Sequence, residues 1–176
     1  MKNGACSSPH RRPWLVTIGV GLLGLGGCGF ELRRAPRLPY ARLALAGFAP
    51  GSPLADELQR SLPEGTTVVA DAARADAVLQ ALLDRRERSV VAATAAGQVR
   101  ALQLRVRLQY RLLSPGGREL IGDTTLLQSR DMTYSETVAL AKQQEEGELY
   151  AAMQSDIVLQ LVRRLAQQPG TGGSGR

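Results

Sequence analysis

Leu102-Gln103-Leu104-Arg105-Val106-Arg107-Leu108-Gln109-Tyr110-Arg111-Leu112 alternates apolar and polar side chains without a break. Successive side chains of a strand point to opposite sides. Leu102, Leu104, Val106, Leu108, Tyr110 and Leu112 therefore share one face, and Gln103, Arg105, Arg107, Gln109 and Arg111 share the other. Such a strand packs one side on a core and turns the other to water or to a partner, as in an antiparallel sheet covered on one side.

The flanking sequence extends this strand into a sheet. Upstream, Asp76 to Val91 reads as a strand with Leu79, Ala81 and Leu83 on one face and Gln80, Asp84 and Arg86 on the other. The small residues Ala95-Ala96-Gly97 form the expected hairpin tip between the two. Downstream, Ser114-Pro115-Gly116-Gly117 is a turn. Arg118 to Thr133 then carries apolar residues on both faces, Leu120 and Leu126 against Ile121 and Leu127, which suggests a central or partner-covered strand. Arg42 to Ala46 alternates as a short strand, and Thr66 to Val69 is a β-branched run at a strand end or edge.

Two helices complete the pattern. Ser52 caps the first, Pro53 occupies its first position, and Leu54, Leu58 and Leu62 recur every fourth residue until Pro63-Glu64-Gly65 ends it. The second is long, with Leu149, Met153, Ile157, Leu161 and Leu165 in one core-facing stripe. Glu145, Glu146 and Glu148 lie near its start and Arg163 and Arg164 near its end, which complements the helix dipole. The expected fold is α+β, with two helices on one face of a four-stranded, mostly antiparallel sheet.

The N-terminus belongs to a different kind of segment. Lys2, Arg11 and Arg12 precede an apolar run from Trp14 to Leu25, which is too short to span a bilayer as a mature helix. Leu25-Gly26-Gly27-Cys28 has the register of a bacterial lipoprotein cleavage site, with lipid to be attached at Cys28. Residues 1–27 are thus read as a cleaved signal, 28–40 as a lipidated anchor and tether, 41–168 as one domain and 169–176 as a Gly-rich disordered tail. Several acyl chains on Cys28 give stable anchoring at about 0.8 kcal/mol per buried methylene. Gly29 rather than Asp follows the cysteine, which favours the outer membrane, facing the periplasm.

Processing also removes chemistry. Cys6 and His10, the chain's one other cysteine and its one histidine, both fall in the signal. Histidine-dependent nucleophilic sites and Cys or His metal sites are excluded from the mature chain, and so is an internal disulfide. Neither a Gly-rich phosphate loop nor a dinucleotide fingerprint is present, and the 16 acidic residues are scattered, so neither an enzyme nor a cofactor is expected. The formal charge of +6 falls to about +3 when the three basic residues of the signal are removed. Anionic lipid and phosphorylated glycolipid fit this balance in the envelope, and nucleic acid does not.

The motifs then resemble a known family. Cys28-Gly29-Phe30-Glu31-Leu32-Arg33 is similar to the Cys-Gly-aromatic-x-Leu-Arg start of the LptE lipopolysaccharide-assembly lipoproteins. Ala139-Leu140-Ala141-Lys142 with its acidic sequel, Leu149-Tyr150-x-x-Met153-x-x-Asp156 and Arg163-Arg164-Leu165 continue the likeness. The resemblance implies an outer-membrane lipoprotein that plugs and helps assemble the LptD β-barrel and binds lipopolysaccharide during its insertion into the outer leaflet. It implies a lipopolysaccharide contact at Lys142, with a basic residue at the hairpin tip. Here the tip is Ala95-Ala96-Gly97, so Arg88 and Arg100, which flank it, are the substitute ligands. Arg105, Arg107 and Arg111 on the polar strand face are the candidate barrel contacts, since a barrel lumen is polar. Two alternatives stand beside this one: an accessory lipoprotein of another lipid transporter, and a carboxylate-dependent envelope hydrolase.

Overall fold

A computed structural model of the chain describes residues 37–168. The expected signal, the lipid site at Cys28, most of the tether and the tail at 169–176 lie outside the described residues.

The sheet has five strands in the order β2-β1-β3-β4-β5. They are β1 (Arg42–Ala46), β2 (Thr67–Val69), β3 (Ala77–Ala93), β4 (Val99–Leu113) and β5 (Glu119–Thr133). The strand count corrects the expected four. Helix α1 (Pro53–Ser61) carries the chain back from the end of β1, so Thr67–Val69 adds beside β1 as a parallel edge strand. β1 also runs parallel to β3, whereas the long β3–β4 and β4–β5 ladders are antiparallel.

Both helices lie on one side. The Ser52 hydroxyl caps α1 by accepting from the Ala55 N–H at 3.2 Å, and Leu54 and Leu58 point into the core. Helix α2 (Ala139–Ala166) packs along β4 and β5 and against α1. Met153, Ile157, Leu161 and Leu165 of its stripe are all 0% exposed, while Leu149 packs at the margin of the core. Each such side chain contributes on the order of 1.5–3 kcal/mol by leaving water. They meet the six apolar residues of β4 from Leu102 to Leu112, none more than 2% exposed. The core also takes in Tyr40 ahead of β1, at the end of the segment read as tether.

Two bulges decide what the long strands present. Between Ala81 and Leu83 the β3–β4 register shifts by one residue. A shift of one exchanges faces. Leu83 therefore pairs with Gln109 on the uncovered side, while Asp84 and Arg86 pair with Leu108 and Val106 on the helix side, which corrects the alternation expected for β3. β1 ends beside this bulge at Gly47, where φ is +76° and a Cβ would sit 2.1 Å from the Ala81 carbonyl oxygen, so no side chain fits.

The second bulge lies in β5, where Tyr110 pairs with Thr124 but Leu112 with Ile121. It brings Ile121 to the same face as Leu126, which accounts for apolar residues in both phases of the sequence. β5 is an edge strand, not a central one. Its Leu127 is half exposed on the open face.

Candidate functional site

Two regions carry unusual chemistry: the end of the domain where the β3–β4 hairpin meets the start of α2, and the uncovered face of the sheet.

At the hairpin end, the bulge in β3 has turned Arg86 and Arg88 under α2. The Arg86 guanidinium stands 5.2 Å from the centre of the Tyr150 ring and donates to the side-chain carbonyl of Gln154, which is 3% exposed. The Tyr150 hydroxyl donates to the Glu87 carbonyl at 2.8 Å. Burial pushes the Tyr150 hydroxyl above its ordinary pKa, and Glu146 adds to the shift, against the pull of Arg86 and Arg88. Arg88 pairs with Glu146 at 3.5 Å and stacks 5.7 Å from the Tyr134 ring centre. A cation over an aromatic face is held by the ring quadrupole.

Arg88 and Tyr134 form the shared wall of two open clefts. One, of about 470 Å³, is bounded by Ala139, Gln143, Glu146, Gly147 and Tyr150 of α2. The other, of about 410 Å³, is bounded by Val90, Val99, Leu102 and Glu136. The Arg88 cation thus stands between the two clefts, with Glu146 in the first and Glu136 beside Val90 and Val99 in the second.

The expected ligand residues are distributed around this end without touching one another. Lys142 belongs to the first turns of α2, not to the loop before it. Its ammonium donates to Glu145 at 2.7 Å and to the Thr133 hydroxyl at 3.1 Å, so it ties α2 to the end of β5. Arg100 stands at the foot of the hairpin, where its guanidinium donates to Gln98 at 3.2 Å and its carbonyl accepts from the Tyr134 N–H at 2.9 Å. The tip itself is a tight turn closed by Thr94 and Gln98, with Gly97 at φ +78°. Tyr134 and Gln154 were not singled out from the sequence, and Arg86 and Tyr150 entered only as a strand-face residue and a motif residue, not as site residues. Tyr150 lies four residues after Glu146, a helical spacing that marks it, but the facing of Arg86 depends on the bulge.

The open face is laid out in rows across three strands: Ser89, Gln103 and Asp131; Glu87, Arg105 and Ser129; Arg85, Arg107 and Leu127; Leu83, Gln109 and Thr125. Arg111 lies beyond them and donates to Gln80 at 2.9 Å. Arg105 donates to Gln103, which donates to Asp131 at 3.0 Å. Arg105, Arg107 and Arg111 make no ion pair among the described residues. The three expected contact residues are therefore gathered on one surface with Arg85, and these four arginines outnumber the carboxylates of Glu87 and Asp131 in its rows.

The family described as LptE, lipopolysaccharide-assembly, matches residues 40–165 of the chain. An LPS-assembly lipoprotein LptE of Pectobacterium atrosepticum is 29% identical over 160 residues, covering 89% of this chain and 86% of that protein. One from Yersinia pestis is 30% identical over 157 residues, covering 85% and 73%. Among solved structures, lipoprotein B from Nitrosomonas europaea superimposes with a TM-score of 0.66 at 29% identity, covering 78% of this chain and 90% of that one.

Proposed function

The chain belongs to the lipopolysaccharide-assembly family LptE, and on that premise we propose that it is a lipid-anchored outer-membrane protein that plugs the LptD β-barrel, helps it assemble and presents lipopolysaccharide to it. The observation that carries the reading is the family match over residues 40–165, which covers both regions described above. Anchoring falls to Cys28, so the domain faces the periplasm. The family is one of lipid assembly and not of enzymes, and binding rather than bond-making is the activity derived from this domain.

The hairpin end is the side offered to lipopolysaccharide. Lys142 lies in the segment that resembles the family's Ala-Leu-Ala-Lys motif. Its side chain is only 18% exposed, and Glu145 and Thr133 hold the ammonium. A phosphate carries more charge than a carboxylate and is the stronger acceptor. A lipid A phosphate would therefore take the ammonium from Glu145 without moving the backbone. Arg88, shared between the two clefts and opposed by Glu146, makes the same exchange. Arg100, with only Gln98 as its side-chain partner among the described residues, is the least committed of the three.

Purifying the full-length lipoprotein from its own membranes in mild detergent tests the reading. A large outer-membrane β-barrel is expected among the bound proteins by mass spectrometry. Anchor-free protein should bind purified lipopolysaccharide, and Lys142→Ala should weaken that binding most at low salt, where the charge is least screened. Recovery of a different, inner-membrane transporter in place of the barrel would sink the proposal.

A further inference from the structure

Arg85 and Arg107 face each other directly across the β3–β4 ladder on the open side of the sheet. Like charges placed opposite one another on adjacent strands destabilise a sheet. Neither guanidinium has a side-chain hydrogen bond or an ion pair among the described residues, and the nearest carboxylate on the face, Glu87, stands one row away opposite Arg105. Two cations of the hairpin end differ, since Arg88 has Glu146 and Lys142 has Glu145, while Arg86 and Arg100 there bond glutamine side chains. The row of the pair ends in Leu127, 50% exposed, and Arg105 and Arg111 continue the positive charge along β4. An isolated domain gains nothing from this arrangement. It becomes favourable when an opposing surface supplies carboxylates.

We infer that the open sheet face is the surface that docks against the wall of the partner barrel, with Arg85 and Arg107 as the paired anchor that takes carboxylates from that wall. The inference rests on the barrel-plug reading and on the arginine face of β4, and adds to them Arg85 from β3 and the carboxylate chemistry of the pair. The pleat of this face has the spacing common to all sheets, a barrel wall included, so charge is what selects the partner. Inward side chains of a barrel wall recur about every 6.8 Å along a strand and about 4.8 Å between strands. Arg85, Arg105 and Arg107 are displayed on the same lattice, since they too alternate along paired strands. The guanidinium fork binds a carboxylate through two hydrogen bonds, which an ammonium cannot do. Leu127 supplies apolar contact at the edge of the patch.

The test uses the full lipoprotein purified with its barrel. Arg85→Ala/Arg107→Ala removes the repulsion, so the free protein should melt no lower than the parent, while recovered barrel falls at least about tenfold. Arg85→Glu/Arg107→Glu should lose the barrel altogether, and Arg60→Glu, on exposed α1, should not change recovery. Arg85→Lys/Arg107→Lys should recover part of the association with a steeper salt dependence. If the parent protein brings down the barrel and the Ala pair does so equally well, the anchor is wrong and the plug reading survives. If the parent itself brings down none, the plug reading falls and this inference with it. If the Ala pair keeps the barrel but loses binding to vesicles containing a phosphorylated glycolipid, the face belongs to lipid and the inference is overturned.

Discussion

The two faces of β4 share one backbone and one stretch of sequence, yet they do opposite things. From Leu102 to Leu112 every second residue is at most 2% exposed beneath α2 and its neighbours. The intervening Gln103, Arg105, Arg107, Gln109 and Arg111 remain half-buried with no element above them among the described residues. On the covered face, energy comes from apolar area removed from water and the polar groups have been excluded. On the open face, area has been left unburied and arginine left in excess of carboxylate. Stability is concentrated on one side of the sheet, and the proposed barrel contact lies on the other. The hairpin end combines the two, because its cations Lys142 and Arg88 are already paired with Glu145 and Glu146 of the helix.

The sharpest way to break this comparison is a pair of neighbouring substitutions. Leu108→Ala should cost about 2–5 kcal/mol in urea unfolding, as expected for a cavity in a core site that cannot collapse. Gln109→Ala, one residue away on the open face, should change stability by less than about 0.5 kcal/mol. Comparable losses at the two positions would show that the open face is packed in the free protein.

A smaller effect tests how completely the covered face has excluded polar groups. Tyr110 is 0% exposed, and its hydroxyl has no hydrogen-bond partner among the described residues. Burial pushes its pKa up, and Arg164, the guanidinium close enough to pull it back down, makes no hydrogen bond of good geometry to it. An unsatisfied buried hydroxyl is a cost, so Tyr110→Phe should leave stability unchanged or raise it by up to about 1 kcal/mol in the same unfolding measurement. A clear loss would mean that the hydroxyl is satisfied in solution.

The smallest effect concerns the parallel end of the sheet. Asp76 accepts from the Arg42 guanidinium at 2.7 Å and from its N–H at 2.8 Å. These bonds hold its carboxyl below the ordinary value of 3.8. A group with a lowered folded pKa adds stability above its unfolded pKa and loses it as pH falls through the folded one. Asp76→Asn should therefore lower stability slightly at neutral pH, with the difference from the parent closing as pH falls below 3.8. A difference that persists at pH 2–3 would assign the effect to packing instead of charge.

What the sequence determined by itself is everything whose cause is local. The alternation of 102–112 specified a half-covered strand, Ser52 and Pro53 specified the start of α1, and Met153, Ile157, Leu161 and Leu165 specified the buried stripe of α2. The motifs from Cys28 to Leu165 identified the family, and Arg105, Arg107 and Arg111 were placed together on one face. The tertiary structure decided what depends on partners distant in the chain. It added Thr67–Val69 as a fifth strand because α1 returns the chain to that edge, and it put β5 at the other edge. It inserted the bulges at Ala81–Leu83 and in β5, which turned Arg86 and Arg88 toward α2 and left Arg85 on the open side opposite Arg107. It also gave Lys142 and Arg88 acidic partners while leaving the Arg85–Arg107 pair without one. Periodicity within a strand records which side a residue takes relative to its immediate neighbours. The place where that phase slips by one residue is set by the strands and helices packed against it, and the slip changes which charges meet.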